Sequence, residues 1–180
     1  EAELLYKRAL KGQEEMLGRK HEDTLTTVNN LAGLFETQNK FDEAELLYKR
    51  ALKGQEEMLG PKHSDTLNTV HNLAELFRKQ NKLDEAELLY KRALEGQEEM
   101  LGRKHSSTLT TVNNLALLFY KQNKLDEAEL LYKRALEGFE EMLGLKHEDT
   151  LTIVHNLAGL LKKQNKLDEA ELLYKRALEG

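Results

Sequence analysis

The chain has 180 residues, 39 % hydrophobic and 33 % charged, with a formal net charge of −5 at pH 7 and no cysteine. Enough apolar material is present for a core, while the missing cysteines exclude a disulfide framework, a thiolate zinc site and thiol redox chemistry. The acidic balance argues against nucleic acid as a partner. No apolar run is long enough to span a membrane and the first residues carry no signal peptide, so the cytoplasm is the expected location.

In chain order, the first stretch, "EAELLYKRAL" from Glu1, returns at Glu43, Glu85, Glu127 and Glu169. The chain therefore reads as repeats 1–42, 43–84, 85–126 and 127–168 with a partial repeat 169–180, and a fixed period of this size predicts stacked helical or strand units. Each repeat holds two helical patterns. Leu25, Val28, Leu31, Ala32 and Phe35 recur at three- and four-residue steps and predict helix A over about 23–39. Ala44, Leu47, Tyr48, Ala51 and Leu52 share a face of helix B, predicted over about 42–59. Only "QNK" separates the two, which folds them antiparallel. Gly18, Gly60, Gly102 and Gly144 stand where a helix end wants a left-handed residue, and Asp23, Ser64, Asp65 and Ser106 are the expected caps of the next helix. A single hairpin cannot bury both apolar faces, so the copies stack.

Val28, Leu31, Ala32 and Phe35, followed by Ala44, Tyr48 and Ala51, fall at the spacing of the tetratricopeptide repeat, and the set recurs down the chain with Leu161 replacing the last aromatic. The chain resembles that family. The resemblance implies an all-α solenoid of antiparallel helical hairpins with a right-handed superhelix, used to bind protein segments in a concave groove lined by helices A. The 42-residue length, the "LG.KH..TL" junction and the "NNLA" motif resemble the repeats of kinesin light chains and of arrays attached to NB-ARC or STAND-type receptors. The near-identity of the copies fits equally a consensus or redesigned scaffold with no ligand of its own.

Repeats 1 and 2 differ at 8 of 42 positions, and the differences fall mostly on helix A. Helix B varies only at Lys53 (Glu95, Glu137) and Gln55 (Phe139), although Glu45, Lys49 and Arg50 give it a polar face too. The variable helix A positions, those of Thr26, Asn29, Gly33, Glu36 and Thr37, share one arc opposite the apolar stripe. Diversification of a groove is the expected cause, with indifferent drift of exposed positions as the alternative.

Along that arc the invariant Asn30, Asn72, Asn114 and Asn156 form a ladder whose amides suit a peptide backbone or, alternatively, bonds between stacked helices. Asn29, His71, Asn113 and His155 would read side chains beside Gly33, Glu75, Leu117 and Gly159. Arg78, Lys79, Tyr120, Lys121, Lys162 and Lys163 make the helix A ends basic, which suits an acidic segment or, equally, the helix dipole. The lysines and second asparagine of a chaperone-tail carboxylate clamp are missing. His21, His63, His105 and His147 occur once per repeat and are expected at the junction turn rather than around a metal. No catalytic motif is present, Glu14 and Glu15 read as solvated surface, and neither enzyme activity nor a cofactor is expected. Leu4, Leu5, Leu172, Leu173 and Tyr174 are expected to be exposed at the ends and to drive end-to-end self-association.

Overall fold

Two kinds of stop, repeated in every copy, cut the chain into helices. The computed structural model describes residues 1–179, with the backbone alone for Glu179. Among them lie α1 (Ala2–Met16), α2 (Glu22–Thr37), α3 (Phe41–Met58), α4 (Ser64–Lys79), α5 (Leu83–Leu101), α6 (Ser106–Lys121), α7 (Leu125–Leu143), α8 (Glu148–Lys163) and α9 (Leu167–Glu179), and no strand. The even-numbered helices are helix A and the odd-numbered ones helix B.

The first stop closes helix A. Asn39, Asn81, Asn123 and Asn165 have φ between 59° and 63°, a conformation asparagine tolerates better than other side chains. The next amide folds back onto the helix, as Lys40 N–H donates to Phe35 O at 2.9 Å and Asn39 N–H to Glu36 O at 3.0 Å. This pair of bonds satisfies the last carbonyls within three residues. The short connector works because its middle residue can turn left.

The second stop joins helix B to the next helix A. Gly18, Gly60, Gly102 and Gly144 have φ from +85° to +94°. At Gly144 ψ is 170°, so the residue lies in an extended region at positive φ that glycine alone enters readily and not in the left-handed helical one. The caps differ from the expected residues. His21, His63, His105 and His147 are the N-caps, and each Nδ1 accepts the amide N–H two residues on, at 3.2 to 3.3 Å. Asp23, Asp65 and the serines lie one or two residues too late, already inside the helix. Buried Thr24, Thr66 and Thr108 donate their hydroxyls to the carbonyls of Gly18, Gly60 and Gly102 at 2.9 Å and tie the turn to the helix it precedes.

The apolar stripes meet as their spacing requires. Leu25, Val28, Leu31, Ala32 and Phe35 of α2 are buried, as are Ala44, Tyr48 and Ala51 of α3, and the equivalents recur down the chain. Gly54 in mid-helix belongs to this contact. A Cβ there would come within 2.5 Å of Leu25 Cδ2, and Gly96 and Gly138 stand equally close to Leu67 and Leu109. Helix B therefore gives up helix propensity at these glycines in exchange for close approach.

The polar face of helix B is held by its neighbours. Arg50 pairs with Glu14, Arg92 with Glu56 and Arg176 with Glu140, each 36 residues apart. Lys40 pairs with Glu3, Lys82 with Glu45 and Lys166 with Glu129, each 37 apart, and Lys20 with Glu57, Lys62 with Glu99 and Lys104 with Glu141 at the same separation. Glu14 is thus an inter-repeat partner and not merely solvated surface, while Glu15 reaches only Lys11, at 3.9 Å. Glu45 is pushed up by burial, but hydrogen bonds from Lys49 and Lys82 outweigh that and hold its carboxyl at about 2.

Leu4, Leu5 and Leu172 are exposed; Leu46, Leu88 and Leu130 are exposed at the place of Leu4 and Leu172 in the other copies, whereas Leu47, Leu89 and Leu131, the counterparts of Leu5, are half-buried, so only the exposure of Leu5 is peculiar to the first helix. Leu173 and Tyr174 are half-buried. By contacts the chain divides into two compact units, Glu1–Met100 and Leu101–Gly180.

Candidate functional site

The variable arc of helix A has a different character in the two units. In the N-terminal unit it is formed by α2 and α4. Asn29 Oδ1 accepts from Thr69 Oγ1 at 3.2 Å and from Asn72 Nδ2 at 3.4 Å. One amide hydrogen of the ladder residue Asn72 is therefore spent on the preceding copy, while Asn30 is exposed and makes no side-chain hydrogen bond among the described residues.

Towards the C-terminal ends of α2 and α4 the arc closes on itself. Glu36 is only 8 % exposed and accepts from Tyr48 Oη at 3.0 Å and from Lys79 Nζ at 2.6 Å. Glu75 accepts from Tyr90 Oη at 2.5 Å, from Arg78 Nε at 2.9 Å and again from Arg78 Nη2. Burial pushes the Glu75 carboxyl up, but Arg78 and Tyr90 outweigh it and hold it below the usual carboxylate range. The phenols of Tyr48 and Tyr90 are driven up, first by burial and then by the glutamate each one meets. His71 stands edge-on to Tyr90 at 5.5 Å, and burial lowers its pKa against the opposing pull of Glu75 and Glu36. Arg78 and Lys79, expected to face a ligand, are thus engaged by the protein's own carboxylates.

In the C-terminal unit the same arc is formed by α6 and α8. Asn113 Nδ2 donates to Asn114 Oδ1 at 3.3 Å, and Asn113 Oδ1 accepts from Asn156 Nδ2 at 3.4 Å, repeating the bond that joins Asn72 to Asn29. The position of Glu36 is now Tyr120 and that of Glu75 is Gly159. Lys163 accordingly meets a ring in place of a carboxylate, its Nζ 4.6 Å from the Tyr120 centroid, and Lys162 Nζ lies 5.4 Å from that of Tyr174. Among the described residues no carboxylate is within ion-pair distance of either lysine. A Cβ at Gly159 would meet nothing within 4 Å, so the space beside Lys162 is open. Tyr120 is half-buried, Lys121 is exposed, and His155 is exposed beside Thr152 at the edge of the arc.

Sequence reasoning missed the roles of Glu36, Tyr48 and Tyr90. The signal was present in one respect: Glu36 and Lys79 are 43 residues apart, one repeat plus one position, the same separation at which Asn72 meets Asn29 and Asn156 meets Asn113 across neighbouring helices A. The junction histidines act as caps, and among the described residues no group of three or more His, Cys, Asp or Glu side chains is placed to hold a metal ion. Nor is any helix there long and apolar enough to cross a membrane.

Among solved structures, BtubC (BKLC) from P. vanneervenii is similar with a TM-score of 0.86 and 27 % identity, covering 99 % of this chain and 71 % of that one. A single-substitution form of a Podosopora anserina protein described as a putative kinesin light chain with nearly identical TPR-like repeats has a TM-score of 0.84 at 22 % identity, covering 99 % of this chain and 84 % of that one. RapI in its apo form shares the fold at 16 % identity, with a TM-score of 0.82 over 96 % of this chain and 60 % of its own. No curated protein sequence matches. Tetratricopeptide-repeat models match residues 1–57, 89–141 and 107–180, and another matches 66–107. With hairpins of matching residue pattern throughout, the chain belongs to the tetratricopeptide repeat family and is an all-α repeat solenoid of the kind found in kinesin light chain-like proteins.

Proposed function

We propose that this interaction scaffold receives an extended protein segment on its helix A faces, and that an acidic part of such a segment is held by α6 and α8. The observation that carries this reading is the pair of ammonium groups on Lys162 and Lys163, set over aromatic rings and left without a carboxylate of the protein's own. Rings orient a cation without neutralising it, so an incoming carboxylate gains a charge-assisted hydrogen bond from a donor already in place. The open space at Gly159 leaves room for its side chain. On α2 and α4 the internal glutamates take that role, so this face suits neutral groups and backbone.

Asn30, Asn72, Asn114 and Asn156 would meet the peptide backbone, although Asn72 and Asn156 each commit one N–H to the stack and Asn114 is also engaged within the protein. The side chains of Asn29, His71, Asn113 and His155 then distinguish one segment from another. A cysteine-free chain suits the reducing cytoplasm. The rival reading, an array without a ligand of its own, rests on the near-identity of the copies, and inter-repeat ion pairing offers another cause for the part of that sameness that lies on helix B.

The test is fluorescence anisotropy with a panel of labelled extended peptides, acidic and neutral, against the intact array, a Lys162→Ala/Lys163→Ala variant and a variant with all four ladder asparagines changed to alanine. Preferential binding of acidic peptides, lost in the lysine variant while helicity is kept, is the expected result. Equal binding by the intact array and the lysine variant overturns the acidic assignment, and equal binding by the asparagine variant removes the ladder from it.

A further inference from the structure

A second cationic surface lies away from the helix A arc. Between the α1–α2 turn and the outer side of α3 is an open cleft of about 530 Å³. Its floor is apolar, made by Leu25, Gly54 and Leu46, the last 71 % exposed. Arg19, Lys20, Lys49, Arg50 and Lys53 surround it, and Glu57 is the one carboxylate in the lining.

Most of these cations have internal partners. Lys20 bonds Glu57, Lys49 bonds Glu45 at 2.6 Å, and Arg50 and Arg19 share Glu14. Lys53 forms no ion pair among the described residues; it acts on Glu57 only through space, and Glu57 is already bonded to Lys20. Five cations thus draw on Glu14, Glu45 and Glu57, and Glu45 is shared again with Lys82.

The chain contains its own controls for this cleft. At the next junction the position of Lys53 is Glu95 and that of Arg19 is Pro61, which makes the equivalent surface three charges less positive; at the one after, Glu137 takes the place of Lys53 and Arg103 stays. Those acids act on the local cations: the Lys62 ammonium is pushed up first by its bond to Glu99 and more weakly by Glu95, and Lys104 likewise by Glu141 and Glu137. Only at the first junction is the internal acid replaced by a base.

We infer that the first-junction cleft, centred on Lys53 and Leu46, is a docking site for an acidic protein segment that places one apolar side chain against Leu46 and supplies the carboxylate that Glu95 and Glu137 supply elsewhere. Charge complementarity names the occupant. The cleft shares no residue with the helix A arc, so the two assignments stand separately.

The experiment titrates a labelled peptide, Asp-Glu-Glu-Leu-Asp-Glu-Glu, into the full chain by anisotropy at low and physiological salt. Lys53→Glu leaves helicity unchanged, because the chain already carries that residue in two equivalent places, and is expected to weaken binding by about tenfold or more, since like charges brought together across an interface are strongly unfavourable. Leu46→Ser, or a serine for the peptide's leucine, weakens it too, and Glu95→Lys with Pro61→Arg raises the number of peptides bound by one. Full binding by Lys53→Glu overturns the proposal. Loss of binding in Lys162→Ala/Lys163→Ala alone also overturns it, while supporting the helix A reading. Capture of phosphatidylserine vesicles by Lys53 and Leu46 without any affinity for the peptide replaces the proposed partner with a membrane and overturns it as well.

Discussion

The polar faces of helix A and helix B are built from the same kinds of residue and behave in opposite ways. On helix B the acids and bases that pair between copies recur unchanged because each partner is 36 or 37 residues away in the neighbouring copy, so changing one side breaks a pair, and the one charged position that varies, that of Lys53, makes no such pair. On helix A the partners are private to one place. Lys79 has Glu36 and Arg78 has Glu75, whereas Lys163 has a tyrosine ring and Lys162 a ring and an empty space. Sameness between copies here marks register-locked pairing as well as burial, and variation marks positions whose partner is optional.

The comparison breaks most sharply at glycine. Gly96→Ala on helix B forces a methyl to within 2.5 Å of a Leu67 side chain that is itself buried, and we expect a loss of about 1–3 kcal/mol even after the gain in helix propensity. Gly159→Ala on helix A meets open space, and the same chemical change is expected to stabilise by about 0.5–1 kcal/mol. Denaturant melts of the two variants should move in opposite directions; parallel shifts would contradict the account of helix packing.

Removing Glu75 tests the private pairs. Glu75→Ala leaves the Tyr90 hydroxyl and the Arg78 guanidinium without their acceptor in a half-buried place, at an expected cost of about 1–3 kcal/mol in urea unfolding. It should also give the N-terminal unit an affinity for acidic peptides that it otherwise lacks. An unchanged peptide profile would show that the glutamate does not block that face.

A smaller gain is expected inside helix B. Gln55 is buried with its amide oxygen unpaired, and the equivalent position in the fourth copy is the buried Phe139. Gln55→Phe should therefore stabilise by about 1 kcal/mol by removing an unsatisfied acceptor. A lower unfolding midpoint would mean that the slot around Gln55 is smaller than that around Phe139.

The smallest effect belongs to the exposed pairs. Burial raises Glu45 and Glu129, but lysine hydrogen bonds prevail and hold both at about 2 against an ordinary value of 4.5. A carboxyl with a lowered folded-state pKa contributes in full above the unfolded value and loses that contribution as pH falls through the folded one. Stability should accordingly be level above about pH 4.5 and decline towards pH 2, with a smaller decline at high salt. A decline that is already complete above pH 4.5 would contradict the role given to the two glutamates.

Much of this was legible before any coordinates. The two helical stripes, Val28 to Phe35 and Ala44 to Ala51, follow from contacts three and four residues apart, and the glycine stops follow from local backbone geometry. Locally encoded features missed were few, chiefly the histidine caps, because Asp and Ser nearby are the commoner choice.

The amino-acid order by itself determined the period, the hairpins, the core and the family, since each depends on neighbours within one turn or one repeat. Tertiary structure alone decided which charges are spent. Arg78, Lys79, Lys162 and Lys163 look alike as letters, and what separates them is whether stacking brings Glu36, Glu75 or a tyrosine ring to each ammonium or guanidinium group. An interaction across 43 residues is fixed by the approach of two helices to within a few ångströms, and spacing along the chain records the partner's position without recording whether its charge is already met.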